Sequence, residues 1–242
     1  GDGDLDGGDD FLVGATRADA GSGRVYLVSS AATMAEPVGT DFSLADAHYI
    51  FTSSVESDRL GSSLATLGDL DNDGVPEIAL GAYGNALFGE NAGVIYVFLS
   101  STVRAQPPGT TFDVAQANFT LYGVQELAFA GASMADVGDM DDDGIEDLVV
   151  ASIFADDTGT NAGVVHLFYG PVSGIGAGVS TSGTGDPGVS AGASVFDGTT
   201  ANEMGGACWT HISRVVPRST RWKVTHLPTV GGALRSPLQA TG

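Results

Sequence analysis

One cysteine, Cys208, stands in the 242-residue sequence, so no intrachain disulfide can form and the redox compartment is left open. Bases are scarce: nine Lys and Arg face 30 Asp and Glu, a formal charge of −21. That balance makes nucleic acid and anionic membrane surfaces poor partners and cations natural ones. No apolar run approaches the roughly 18 residues of a membrane-spanning helix. No GxSxG nucleophile elbow, P-loop or dinucleotide-binding GxGxxG turn appears in a βαβ context. His48, His166, His211 and His226 fall in unlike contexts, and Cys208 has no recognisable base partner, so nothing points to nucleophilic catalysis.

What the sequence has instead is repetition. GDGDLDGGDDFLVGA at 1–15 returns as GDLDNDGVPEIALGA at 68–82 and as GDMDDDGIEDLVVAS at 138–152, at spacings of 67 and 70 residues. A glycine and an alternating apolar run follow each copy: GRVYLVSS from Gly23, GVIYVFLS from Gly93 and GVVHLFYG from Gly163. The connectors repeat too, EPVGTDFSLADAHY (36–49) aligning with QPPGTTFDVAQANF (106–119). Within one unit SLATLGD (63–69), EIALGA (77–82), GVIYVFLS (93–100) and NFTLYG (118–123) read as four short strands. Helical spacing is confined to FDVAQA, too short for more than a turn. The expected fold class is therefore all-β: about three blades of a partial, unclosed β-propeller, with repeats over 1–50, 51–119 and 120–195 and a partial one over 196–208.

The acidic loops place carboxylates on alternate residues. Positions 1, 3 and 5 are Asp2, Asp4 and Asp6, then Asp69, Asp71 and Asp73, then Asp139, Asp141 and Asp143; position 9 is Asp10, Glu77 or Asp147. Such side chains repel one another unless a cation or open water lies between them. Position 6 is always glycine (Gly7, Gly74, Gly144), which permits the positive φ that turns a chain around an ion, and position 7 (Gly8, Val75, Ile145) offers a backbone carbonyl. Five or more oxygen donors suit Ca²⁺ better than Zn²⁺, which prefers Cys and His, or Mg²⁺, which demands stricter geometry. An EF-hand needs Glu at position 12, yet Val13, Leu80 and Val150 stand there, and strands rather than helices flank the loops.

The pattern G-D-x-D-x-D-G-x-x-[DE] followed by an apolar strand and Gly-Ala resembles the FG-GAP repeat of the integrin α-subunit propeller. LYGVQELAFAGASMADVGD (121–139) and the shorter RLGSSLATLGD (59–69) are similar to the element that precedes the loop in that family. The resemblance covers residues 1–208. It implies Ca²⁺ held in a blade hairpin by the residues named above, an extracellular or cell-surface location, and a role in adhesion or in recognising a protein or glycan. Extracellular sites of this kind bind at about 10⁻⁴–10⁻³ M. The sequon Asn118-Phe119-Thr120 is in keeping with a glycoprotein. Similar repeats also accompany catalytic domains, including phospholipase D acting on glycosylphosphatidylinositol anchors, which gives an alternative: the accessory propeller of a secreted hydrolase.

The series then breaks. VFDGTTANEMGGAC (195–208) begins a fourth unit, but residues 209–242 carry five bases and no acid, whereas residues 1–208 carry four bases against 30 acids, a net of −26. No acidic loop follows near Arg214. The expectation is a non-homologous, disordered tail, as a frameshifted reading produces; a genuine basic arm is the alternative. A seven-bladed propeller of this period needs about 450 residues, so the piece is expected to belong to a larger protein with further blades or domains.

Overall fold

The structure, a computed structural model, describes residues 8–69, 73–140, 142, 144–156 and 160–168, with the backbone of short strands at 179–180, 194–197, 212–213 and 223–224. Its strands are β1 (Phe11–Ala15), β2 (Arg24–Val28), β3 (Tyr49–Thr52), β4 (Leu60–Thr66), β5 (Ile78–Ala82), β6 (Val94–Phe98), β7 (Thr111–Asp113) and β8 (Phe119–Tyr122), then β9 (Ala130–Asp136), β10 (Leu148–Ser152), β11 (Val164–Phe168), β12 (Val179–Ser180), β13 (Ser194–Asp197), β14 (Ile212–Ser213) and β15 (Lys223–Val224).

Each repeat becomes an antiparallel meander. β4, β5, β6 and β8 pair in that order, and β9, β10, β11 and β13 do the same, while β1, β2 and β3 form the corresponding set of the first repeat. Consecutive strands joined by tight connections pair with their neighbours because short loops leave little alternative. Among the described residues no sheet closes on itself. This is a partial β-propeller.

β5 and β6 are buried at every position, so they read as continuous apolar runs instead of alternating ones. The two faces serve different neighbours. Ile78, Leu80 and Ala82 join Val25, Leu27, Tyr49 and Phe51 of the first sheet in one core cluster. Ala79, Ile95 and Val97 face the other way and pack with Met134, Leu148 and Val150 of the third sheet. Each fully buried Leu, Ile or Phe in these layers contributes about 1.5–3 kcal/mol.

Neighbouring sheets are also stitched. The connector after β6 lends β7 to the outer edge of the preceding sheet, where it runs parallel to β3 with Phe112 opposite Phe51. Phe112 is buried among Tyr49, Phe51 and Phe98, with ring centroids 5.4–6.1 Å away. The connector after β11 repeats the device: β12 runs parallel to β8.

Two short helices depart from the sequence reading: α1 (Ser30–Ala35), which follows β2, and α2 (Ser100–Arg104), which follows β6. Runs of five or six residues are too short to display a 3.6-residue period, and helices this short are held by tertiary contacts rather than propensity. FDVAQA is a single 3₁₀ turn, Val114–Gln116, closed by a capping box between Asp113 and Gln116. In residues 209–242 the described part is the β14–β15 pair alone, so the expectation of a disordered tail otherwise lies outside the described residues.

Candidate metal centre

The loop between β4 and β5 is closed at its base by Leu67 N–H donating to the Glu77 carbonyl at 2.8 Å. The loop between β9 and β10 is closed identically, by Val137 N–H on the Asp147 carbonyl at 3.0 Å and Asp147 N–H on the Gly138 carbonyl at 3.1 Å. Both loops turn at glycines of positive φ, Gly74 at 89° and Gly144 at 94°, as the repeat pattern requires.

Inside the second loop the side chain of position 1 folds the turn. Asp69 Oδ1 accepts from Asp73 N–H and Oδ2 from Gly74 N–H, both at 2.8 Å, and Asp73 Oδ1 accepts from Val75 N–H at 2.9 Å. The third loop repeats the main bond, Gly144 N–H donating to Asp139 Oδ2 at 2.9 Å. Aspartate at position 1 is therefore an architectural residue whether or not a metal is bound. Carboxylate oxygens of Asp69, Asp73 and Glu77 all lie within 4.8 Å of one another. Three hard oxygen donors that close fit a divalent cation of the Ca²⁺ kind.

The position-9 acids have a second task that spacing did not reveal. Asp10 Oδ1 accepts from Ser30 N–H at 3.0 Å, and Glu77 Oε1 from Ser100 N–H at 3.4 Å, so in two repeats this carboxylate caps a short helix, α1 or α2. Glu77 and Asp147 are wholly buried, and Asp147 Oδ2 accepts from Met140 N–H at 2.6 Å across its own loop. The sequence carried a signal for the cap: Ser30 and Ser100 lie one repeat apart. It carried none for Arg104, whose guanidinium donates to Asp73 Oδ2 from the far end of α2.

Of the expected ligands, Asp69, Asp73 and Glu77 come together; Asp139, Ile145 and Asp147 share the third loop; Gly8 and Asp10 flank the start of β1; and buried Val75 follows Gly74. Asp2, Asp4, Asp6, Asp71, Asp141 and Asp143 lie outside the described residues. Glu146, at position 8 of the third loop, lies against Gly68 at the start of the second loop, where an added Cβ would come within 2.8 Å of Glu146 Oε2. Partial burial and the negative charges of Asp136 and Asp139 hold its carboxyl above the usual carboxylate range. The sequon residue Asn118 is engaged on both ends of its amide, Oδ1 by Leu99 N–H and Nδ2 by Thr102 Oγ1, so a glycan there would have to displace these bonds.

The FG-GAP repeat family matches residues 60–98, which run from β4 through the acidic loop to the end of β6. Residues 60–98 thus carry an FG-GAP repeat, and the chain is similar to integrin α subunits. Integrin alpha-5 of Xenopus laevis is 34% identical to it over 164 residues, 63% of this chain and 14% of that protein. Human integrin alpha-IIb is 33% identical over 155 residues, 61% of this chain and 13% of its own length. Phosphatidylinositol-glycan-specific phospholipase D of Rattus norvegicus is 32% identical over 151 residues, 61% of this chain and 16% of the enzyme. The chain thus spans about a seventh of these relatives. Among its described residues no helix is long and apolar enough to cross a membrane.

Proposed function

We propose that this chain is the calcium-stabilised propeller part of an extracellular adhesion or ligand-recognition protein, taking a protein or glycan as its ligand. The observation that carries the reading is the convergence of Asp69, Asp73 and Glu77 within one backbone-closed loop that recurs one repeat later. Asp71 and the Val75 carbonyl complete the second donor set; Asp139, Asp141, Asp143, Ile145 and Asp147 form the third; Asp2, Asp4, Asp6, Gly8 and Asp10 form the first. Bound Ca²⁺ neutralises clustered carboxylates and ties the two ends of each hairpin loop together. Three ions would reduce the charge of −21 to −15.

Thermal melts with chelator and with 1 mM Ca²⁺ test this. A site with a dissociation constant of about 10⁻⁴ M stabilises the fold by about 1.4 kcal/mol at that concentration, so Tm should rise by several degrees. An unchanged Tm removes the metal from the reading. The similarity to the phospholipase D supports a second reading, in which the same propeller accompanies a hydrolase. A catalytic domain in the parent polypeptide decides for it; the relation to integrin α subunits favours the first.

A further inference from the structure

Residues 1–208 contain four basic side chains, and one of them is placed on a candidate metal ligand. α2 straddles the second acidic loop: its first N–H binds Glu77, and its last residue, Arg104, binds Asp73. The contact is partly shielded, with side chains 22% and 19% exposed. It is also incomplete. A guanidinium that grips a carboxylate with its full fork uses two N–H groups, yet Arg104 makes this contact through one terminal nitrogen and its Nε is buried with no hydrogen-bond partner. The equivalent positions of the neighbouring repeats hold no base in the sequence. One repeat earlier the same helix position holds Met34, which is 81% exposed, and one repeat later the sequence has Gly174.

We propose that Arg104 is a built-in cation that competes with divalent metal for Asp73, so that the second loop binds Ca²⁺ more weakly than its donor set alone would. This rests on the calcium reading above. A positive charge on a ligand oxygen repels an incoming dication and must be displaced, while in metal-free protein it relieves the repulsion among Asp69, Asp73 and Glu77. The second loop thereby keeps its shape at low calcium, and the third loop, without such a residue in its repeat, depends on metal more strongly.

The test follows the Gly74 and Gly144 amides of the full chain by NMR during Ca²⁺ titration, since each N–H donates to the position-1 aspartate of its own loop. Arg104→Met should move the Gly74 midpoint to about tenfold lower Ca²⁺ by removing one repelling charge, leaving Gly144 in place. Arg104→Lys, which keeps the charge, should stay within about twofold of wild type. If Gly74 responds at the same or higher Ca²⁺ in Arg104→Met while Gly144 still titrates, the competition is overturned and the calcium reading stands. If neither glycine responds in either protein, both are overturned. In chelator, Arg104→Met and Asp73→Asn should each lower the urea midpoint, and the double variant should lower it no further than one of them; additive losses would overturn the pairing itself.

Discussion

Asp58 is wholly buried and accepts hydrogen bonds from Ser53 Oγ at 2.5 Å, Asn85 Nδ2 at 2.6 Å and Tyr96 OH at 3.3 Å. One repeat later these four positions are Ala128, Gly123, Ala155 and His166, and Ala128 and Ala155 pack with Val164 as a small apolar cluster. The same site in the fold is thus filled by a polar quartet in one sheet and, in the next, by small side chains and the buried His166. Burial raises the Asp58 pKa despite its three donors, and raises that of the Tyr96 hydroxyl as well. A carboxyl whose folded pKa lies above its unfolded value of about 3.9 favours folding fully below that pH, and this contribution is lost as pH rises through the folded pKa. Stability of wild type relative to Asp58→Asn should therefore fall as pH rises above about 4. Urea midpoints in chelator as pH is raised check it, and parallel curves would refute the assignment to Asp58.

At the scale of elements, the sheets meet at glycines. A Cβ on Gly81 of β5 would lie 2.4 Å from the Gly131 carbonyl oxygen of β9 and 2.3 Å from Ser63 Oγ, and one on Gly14 of β1 would lie 2.3 Å from the Gly61 carbonyl oxygen of β4. Ser63 can rotate away; the carbonyl of Gly131 is backbone and cannot. Gly81→Ala should destabilise by about 1–3 kcal/mol, read as a lower urea midpoint with an unchanged m-value. The corresponding residue of the third repeat is Ala151 in β10, so the requirement belongs to the first two junctions. The strands and the turn glycines were legible in the sequence because a period of 70 residues displays them in several copies; that β6 is buried on both faces was not. Nor were α1, α2 and the parallel addition of β7 to β3. Each is short, and each is held by partners far along the chain: Asp10 for Ser30, Glu77 for Ser100, and Tyr49 and Phe51 for Phe112.

For the whole molecule, a charge of −21 sets a field that opposes compaction, concentrated in loops that recur on each repeat. Monovalent salt should stabilise the metal-free chain by screening that repulsion, with a Debye length falling from about 10 Å at 0.1 M to 3 Å at 1 M. Tm in chelator is expected to climb with NaCl, and the climb should shrink once 1 mM Ca²⁺ is present. A Tm independent of salt in chelator would show that the acidic loops carry no net strain.

The sequence by itself determined the repeat, its blade-like strand order and the alternate carboxylates of each loop, because these are local patterns written in several copies. It could not determine how those carboxylates are shared. Glu77 reaches Ser100 across 23 residues and Arg104 reaches Asp73 across 31, contacts without periodicity that exist only once β5 and β6 pair and set α2 over the loop. The carboxylates were written in the chain; the arginine set on one of them was placed by the tertiary fold.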